Sequence, residues 1–163
     1  MNYLGKNKDT FKTVAEPLNK LLADYQMYYQ NLRNFHWNIS GGYFFELHNK
    51  FEELYIDARD KIDMVAERIL AIRQKPLSMF TEYLLESDIE EPNAINSDVE
   101  MVMVILQNHT QLLKSLRTAT DLASEVGDEG TVDMLGGFIG FIEKESWMMD
   151  AWLGKKELTE VNE

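Results

Sequence analysis

Two runs of apolar residues at three- and four-residue spacing, joined across a Gly-Gly turn, constrain this chain more than any other feature. Leu18, Leu21, Leu22, Tyr25, Tyr28, Tyr29, Leu32 and His36 make the first stripe, and Leu47, Phe51, Leu54, Tyr55, Ala58, Ile62, Val65, Ala66 and Ile69 make the second. Such spacing puts each set on one face of an α-helix, and only other apolar faces can cover it. The first helix is expected to start between Asp9 and Glu16, which would place Pro17 in its opening turn, and to end near Ser40-Gly41-Gly42. The second runs out before Pro76.

The connection after Pro76 covers about twenty residues, more than helix-to-helix loops usually need, and "SMFTEYLLES" within it has the composition of a short helix. A crossover is therefore expected. Ser97 and Glu100 then form a capping box ahead of "VEMVMVILQNHTQLLKSLRTATDLASEV", a third long helix that Gly127 ends. Asp128 can cap a fourth, expected to reach Gly154. Gly136, Gly137 and Gly140 each cost this helix about 1 kcal/mol, so close approach of a neighbouring backbone is the expected compensation. No strand pattern or internal repeat competes. The chain is read as all-α, one domain spanning residues 1–163. Its four long helices and one long crossover, with a short extra helix between the second and third, have the connectivity of ferritin-like bundles. Residues up to about 9 and from about 155 are expected as flexible tails.

Composition limits the chemistry. The chain has no cysteine, so a metal would have to be held by histidine and carboxylate, which suit hard or borderline ions such as iron and manganese. A formal charge of -12 repels nucleic acid and anionic membrane. Lys6, Lys8, Lys12 and Lys20 are offset by Asp9 and Glu16, and Lys155 and Lys156 are followed by Glu157, Glu160 and Glu163, so no basic patch overrides that sign. No apolar run approaches the roughly 18 residues of a membrane span, and the first residues lack the apolar centre of a signal peptide. A cytoplasmic protein is the simplest expectation.

His36 lies on the first apolar stripe, where a buried core histidine is the structural reading. His48 with Glu52 and Asp63 with Glu67 are four apart on the second helix, where acidic pairs are usually a solvated face. At about 100° per residue, however, all four share an arc of about 100° beside the apolar stripe. The Glu-x-x-His motif of bundle di-iron sites is absent, because Arg33, Phe45 and Leu106 stand three residues before His36, His48 and His109. His48 and Asp63 lie about 22 Å apart along one helix, too far to share an ion. A two-fold dimer with antiparallel second helices would bring His48 of one chain beside Asp63 of the other, twice by symmetry. His36 could join from the side of His48.

The stretches "NFHWNISG", "FELHNKFEELY", "DMVAERI" and "GDEGTVDML" resemble the Dps family of miniferritins, the DNA-binding proteins from starved cells, and the likeness runs through nearly the whole chain. It implies a homododecamer in which His36 and His48 of one subunit and Asp63 and Glu67 of its neighbour bind iron, with Glu52 close by. The implied activity is a ferroxidase that oxidises Fe(II), preferentially with hydrogen peroxide and otherwise with oxygen, and stores ferric mineral in the shell. By the same resemblance Trp37 packs at the site and can quench oxidising equivalents, though an interface aromatic accounts for it equally well. Glu129 and Asp133 would line an acidic three-fold pore in which Ser124 replaces a third acid. His109, Tyr25, Tyr28 and Tyr29 are read as surface and core. The rival function is DNA compaction, which the charge and the lack of a basic extension disfavour.

Overall fold

In the computed structural model, residues 3–5, 7–92 and 97–160 are described, and every regular element among them is helical. A 3-10 turn, Lys8–Phe11, leads into α1, Lys12–Asn38. The start lies in the expected window, but Pro17 falls in the second turn rather than the first, where its missing N–H removes one rung of the helical ladder. Gly41 turns the chain at φ 97°, a left-handed conformation that a side chain disfavours. The amide of Phe44 donates to its carbonyl at 3.2 Å, opening α2, Phe44–Ala71. A short α3, Phe80–Glu86, sits in the crossover as expected.

Ser97 and Glu100 form the expected capping box on α4, Asp98–Glu125, with the Glu100 amide 3.2 Å from Ser97 Oγ. Gly127, at φ 64°, ends that helix, and the Asp128 amide closes the turn on the Ala123 carbonyl at 2.8 Å. The last helix, α5, Glu129–Glu160, passes through Gly154 instead of stopping there. One glycine costs only about 1 kcal/mol, and no proline follows to break the helix. The reading of Gly136, Gly137 and Gly140 is also corrected: a Cβ at any of them would meet nothing among the described residues of this chain. All three face outward.

α1 pairs with α2 as a hairpin and α4 with α5 as another. Contacts between Tyr28 and His109 and between Asp24 and Ser115 set α1 antiparallel to α4, and those between Lys50 and Glu145 and between Arg68 and Thr131 set α2 antiparallel to α5. The second and third long helices therefore point the same way, which requires a connection running the length of the bundle. Polar side chains of α1 hold that connection at three heights. Asn19 donates to the Lys75 carbonyl at 3.1 Å and accepts from the Leu77 amide at 2.8 Å. Asp24, fully buried, accepts from Ser87 Oγ and the Asp88 amide, both at 2.9 Å, and from Ser115 Oγ at 2.6 Å. Asn31 donates to the Glu90 carbonyl at 3.0 Å.

One core runs through the bundle, with Tyr25, Tyr28, Phe35, Phe51, Leu54, Ile105 and Leu112 among its fully buried members. Tyr3 belongs to the segment expected as a tail. Its hydroxyl donates to the Ala71 carbonyl at 3.1 Å and its ring lies under Arg73 at 4.2 Å. Of the segments expected as tails, residues 1, 2, 6 and 161–163 lie outside the described residues. No helix among the described residues is long and apolar enough to cross a membrane.

Candidate metal centre

The α1–α2 hairpin builds a histidine pair. His36 Nδ1 donates to the backbone carbonyl of His48 at 2.8 Å, and His48 Nδ1 donates to the carbonyl of His36 at 2.9 Å. This reciprocal pairing fixes both rings by main chain alone and assigns the proton of each neutral imidazole to Nδ1. Both Nε2 atoms then carry the free lone pair that a metal requires. The rings stack with centroids 3.8 Å apart, and Phe44 stacks on the far side of His48 at 4.8 Å. His36 is buried and His48 partly so, which makes His36 both a residue at the edge of the core and a ligand-ready imidazole.

Glu52 joins this patch through Tyr55, whose hydroxyl donates to Glu52 at 3.1 Å while its ring stands edge-on to His36 at 5.3 Å. Asp63 and Glu67 lie elsewhere. Both are exposed, and because α2 is continuous from Phe44 to Ala71 they stand about 22 Å and more from His48 along it. Among the described residues, no group of three or more potential ligands converges within one chain. Trp37 is 59% exposed, with the Arg33 guanidinium over its ring at 4.6 Å. Glu129 and Asp133 are exposed on the first two turns of α5, next to the turn that Asp128 anchors.

Three polar arrangements escaped the sequence reading. Arg68, the residue after Glu67, donates to Thr131 Oγ1 at 2.8 Å and to the buried Asp128 carboxylate, tying α2 to the turn that precedes Glu129. Gly130 permits this, because a Cβ there would lie 3.1 Å from the guanidinium nitrogens. Tyr28 donates to His109 Nε2 and His109 Nδ1 donates to Ser146 Oγ, each at 2.8 Å, and Ser146 in turn donates to the Ile142 carbonyl at 2.7 Å. Burial lowers the His109 pKa to about 3, with the Lys61 charge adding to it. Lys61 is itself buried, paired with Asp57 at 2.6 Å. Its signal was present: Lys61 continues the series Leu47, Phe51, Leu54, Ala58 at heptad spacing, so only the core could receive it.

A helical bundle with a full-length crossover, carrying an imidazole pair and a run of carboxylates along one helix, defines the class of ferritin-like proteins. The Ferritin-like domain profile matches residues 15–159. The chain is 41% identical to a DNA protection during starvation protein of Brevibacillus brevis, over 86% of this chain and 94% of that one. It is 40% identical to general stress protein 20U of Bacillus subtilis, over 86% and 97%. Among solved structures it superposes on a Dps protein of Vibrio cholerae O1, described as a member of a broad superfamily of ferritin-like diiron-carboxylate proteins. That match has TM-score 0.90 and 40% identity, over 94% of this chain and 96% of that one. A Dps protein of Bacillus brevis gives TM-score 0.87 and 39% identity, over 91% and 99%. The chain belongs to the Dps family of ferritin-like proteins. Membership places it among iron-storage proteins that protect against oxidative stress.

Proposed function

We propose that the chain is a ferroxidase whose iron site is completed only between two subunits. His36 and His48 of one subunit, with Glu52 beside them, face Asp63 and Glu67 of a two-fold neighbour, and the antiparallel meeting of two α2 helices repeats the arrangement symmetrically. The observation that carries this reading is the division of the ligands: one chain orients two imidazoles and leaves two carboxylates exposed about 22 Å along the same helix. The donor set fits iron as substrate. Neutral imidazole accepts Fe(II), hard carboxylates favour Fe(III), and a small number of protein ligands leaves positions open to the oxidant.

Peroxide is the preferred oxidant in this reading, with oxygen as the alternative. Two ferrous ions give up one electron each, the peroxide O–O bond breaks, and two protons complete two molecules of water. Fenton chemistry is thereby deprived of both reactants. The ferric product collects as mineral within a hollow cytoplasmic homododecamer, and Glu129 and Asp133 supply an acidic entry for the cation. The name of the Brevibacillus brevis relative speaks of DNA protection. For this chain, with a formal charge of -12, protection by removing the oxidant is favoured over direct contact with phosphate.

Complementation between inactive variants tests the division. His48→Ala and Asp63→Ala should each be nearly inactive as pure assemblies. In a mixed two-fold dimer one site collects both defects, and the other receives an intact His48 and an intact Asp63. Random pairing at equal amounts makes half the dimers mixed, so about a quarter of wild-type activity should return on co-expression. Mass spectrometry of differently tagged subunits verifies mixing. Confirmed mixing without recovered fast oxidation overturns the shared site.

A further inference from the structure

The interior of the bundle holds a second collection of charges, away from the histidine pair. Lys61 projects from α2 into the core, where it is 6% exposed, and its ammonium pairs with Asp57 at 2.6 Å. The same ammonium lies 3.5 Å from the centroid of the Phe141 ring and 5.2 Å from that of Phe138, both on α5. Glu145, one turn further along α5, is 7% exposed, and its charge reaches both Lys61 and Asp57. From α1, Tyr25 turns a fully buried hydroxyl into this region with no hydrogen-bond partner among the described residues. Its ring packs edge-on against Phe138, the ring that also faces Lys61, and the Asp57 charge reaches the hydroxyl.

Asp57, with 26% of its side chain exposed, and the buried Glu145, which also pairs with Lys50 at 3.3 Å, join the unsatisfied phenol oxygen in one set of oxygen donors. Without the Lys61 ammonium that set carries one negative charge more than Lys50 offsets, which is the description of a hard cation site. Bundles of this architecture that carry an internal di-iron centre place it between facing helices, with acids projecting inward. Here the positive charge is covalently part of the chain. We propose that the Lys61 ammonium is the resident cation of the bundle core and keeps divalent metal out of a latent site formed by Asp57, Glu145 and Tyr25. Lys61 is then a specificity-determining residue, confining metal to the face that carries His36 and His48. Burial of the ammonium lowers its pKa, and the bond and charge of Asp57, with Glu145, oppose that shift. A metal would compete with this ammonium for the same carboxylates.

The proposal does not depend on the two-fold site, so the test is made in assemblies that carry His48→Ala and Asp63→Ala and lack that site. Cobalt(II) serves as the probe, measured by elemental analysis after desalting and by its visible spectrum. In this background Lys61→Met, which keeps the length of the side chain and removes the charge, should gain about one Co(II) per chain. Lys61→Arg should gain none, and adding Asp57→Asn to Lys61→Met should abolish the gain. A folded Lys61→Met that binds no more cobalt than its parent overturns the proposal, as does an equal gain by Lys61→Arg or retention of the cobalt after Asp57→Asn. Should Lys61→Met fail to fold in chelator, recovery of its helical circular dichroism on adding Co(II) supports the proposal. Failure of Co(II) to restore it refutes it.

Discussion

Tyr28, His109 and Ser146 form a chain of donors that satisfies both nitrogens of a buried imidazole, so protonation would turn the Tyr28 hydroxyl from donor to acceptor and leave the ring holding a charge among core residues. The folded pKa, about 3, lies below the ordinary value of 6.5, and the unfolded chain therefore takes the proton first as pH falls. This contribution to stability is complete above about pH 6.5 and is lost progressively toward pH 3, by at most about 5 kcal/mol per chain. Replacing His109 with Gln, which can still accept from Tyr28 and donate to Ser146, should flatten the decline of the denaturation midpoint between pH 7 and about 4. Parallel pH profiles for variant and wild type would remove His109 as the cause. The same scale shows why site residues differ in legibility. His36 and His48 were readable as a pair because a short turn joins their helices. The exchange of backbone carbonyls that aims them was not readable, since it depends on the exact closeness of two helix ends. Lys61 and Asp24 were legible in principle, both standing at core spacing within apolar stripes, and were passed over because charged residues are seldom buried without partners.

At the scale of elements, the turn that joins α1 to α2 rests on Gly41, whose φ of 97° no L side chain adopts readily. Gly41→Ala should therefore lower stability by about 1–2 kcal/mol per chain, whereas Gly42→Ala, at a residue without positive φ, should do little. Thermal unfolding of the two variants checks this, and equal losses would place the constraint elsewhere. Period and punctuation made the helices themselves legible. Ser97 with Glu100, and Gly127 with Asp128, are local devices, and the structure places helix ends where they stand. The extent of α5 was less legible, because Gly154 signals only a preference and no breaker follows it. The outward-facing glycines of α5 were misread for a related reason: propensity reports the cost of a residue, never what stands opposite. The tether of the crossover to Asn19, Asp24 and Asn31 joins residues some sixty positions apart, and no local pattern contains it.

For the whole molecule, charge and exposed apolar surface act together. Phe80 and Leu85 in the crossover are 82% and 88% exposed, and Phe45 is 80% exposed, more apolar surface than an isolated chain holds in water without cost. Covering by other subunits is the outcome expected of the proposed dodecamer. In that assembly Glu129 and Asp133 would attract cations, and Glu129→Gln with Asp133→Asn should slow oxidation at limiting Fe(II) while leaving it unchanged at saturating Fe(II). Initial rates measured across iron concentrations decide this, and wild-type rates at limiting iron would refute the pore. The hairpin carries one more consequence, concerning time. His36 and His48 bond to each other across only twelve residues, and both helices involved end by Ala71. During synthesis at about 5–20 residues per second, the codons for that hairpin are read roughly 5–20 s before the last of α5. A ribosome-bound chain thus has both imidazoles and Glu52 translated well before Asp63 and Glu67 of a second subunit can be in reach. Under the proposed shared site, iron met at that stage would find a half-site, and oxidation would wait for the second subunit.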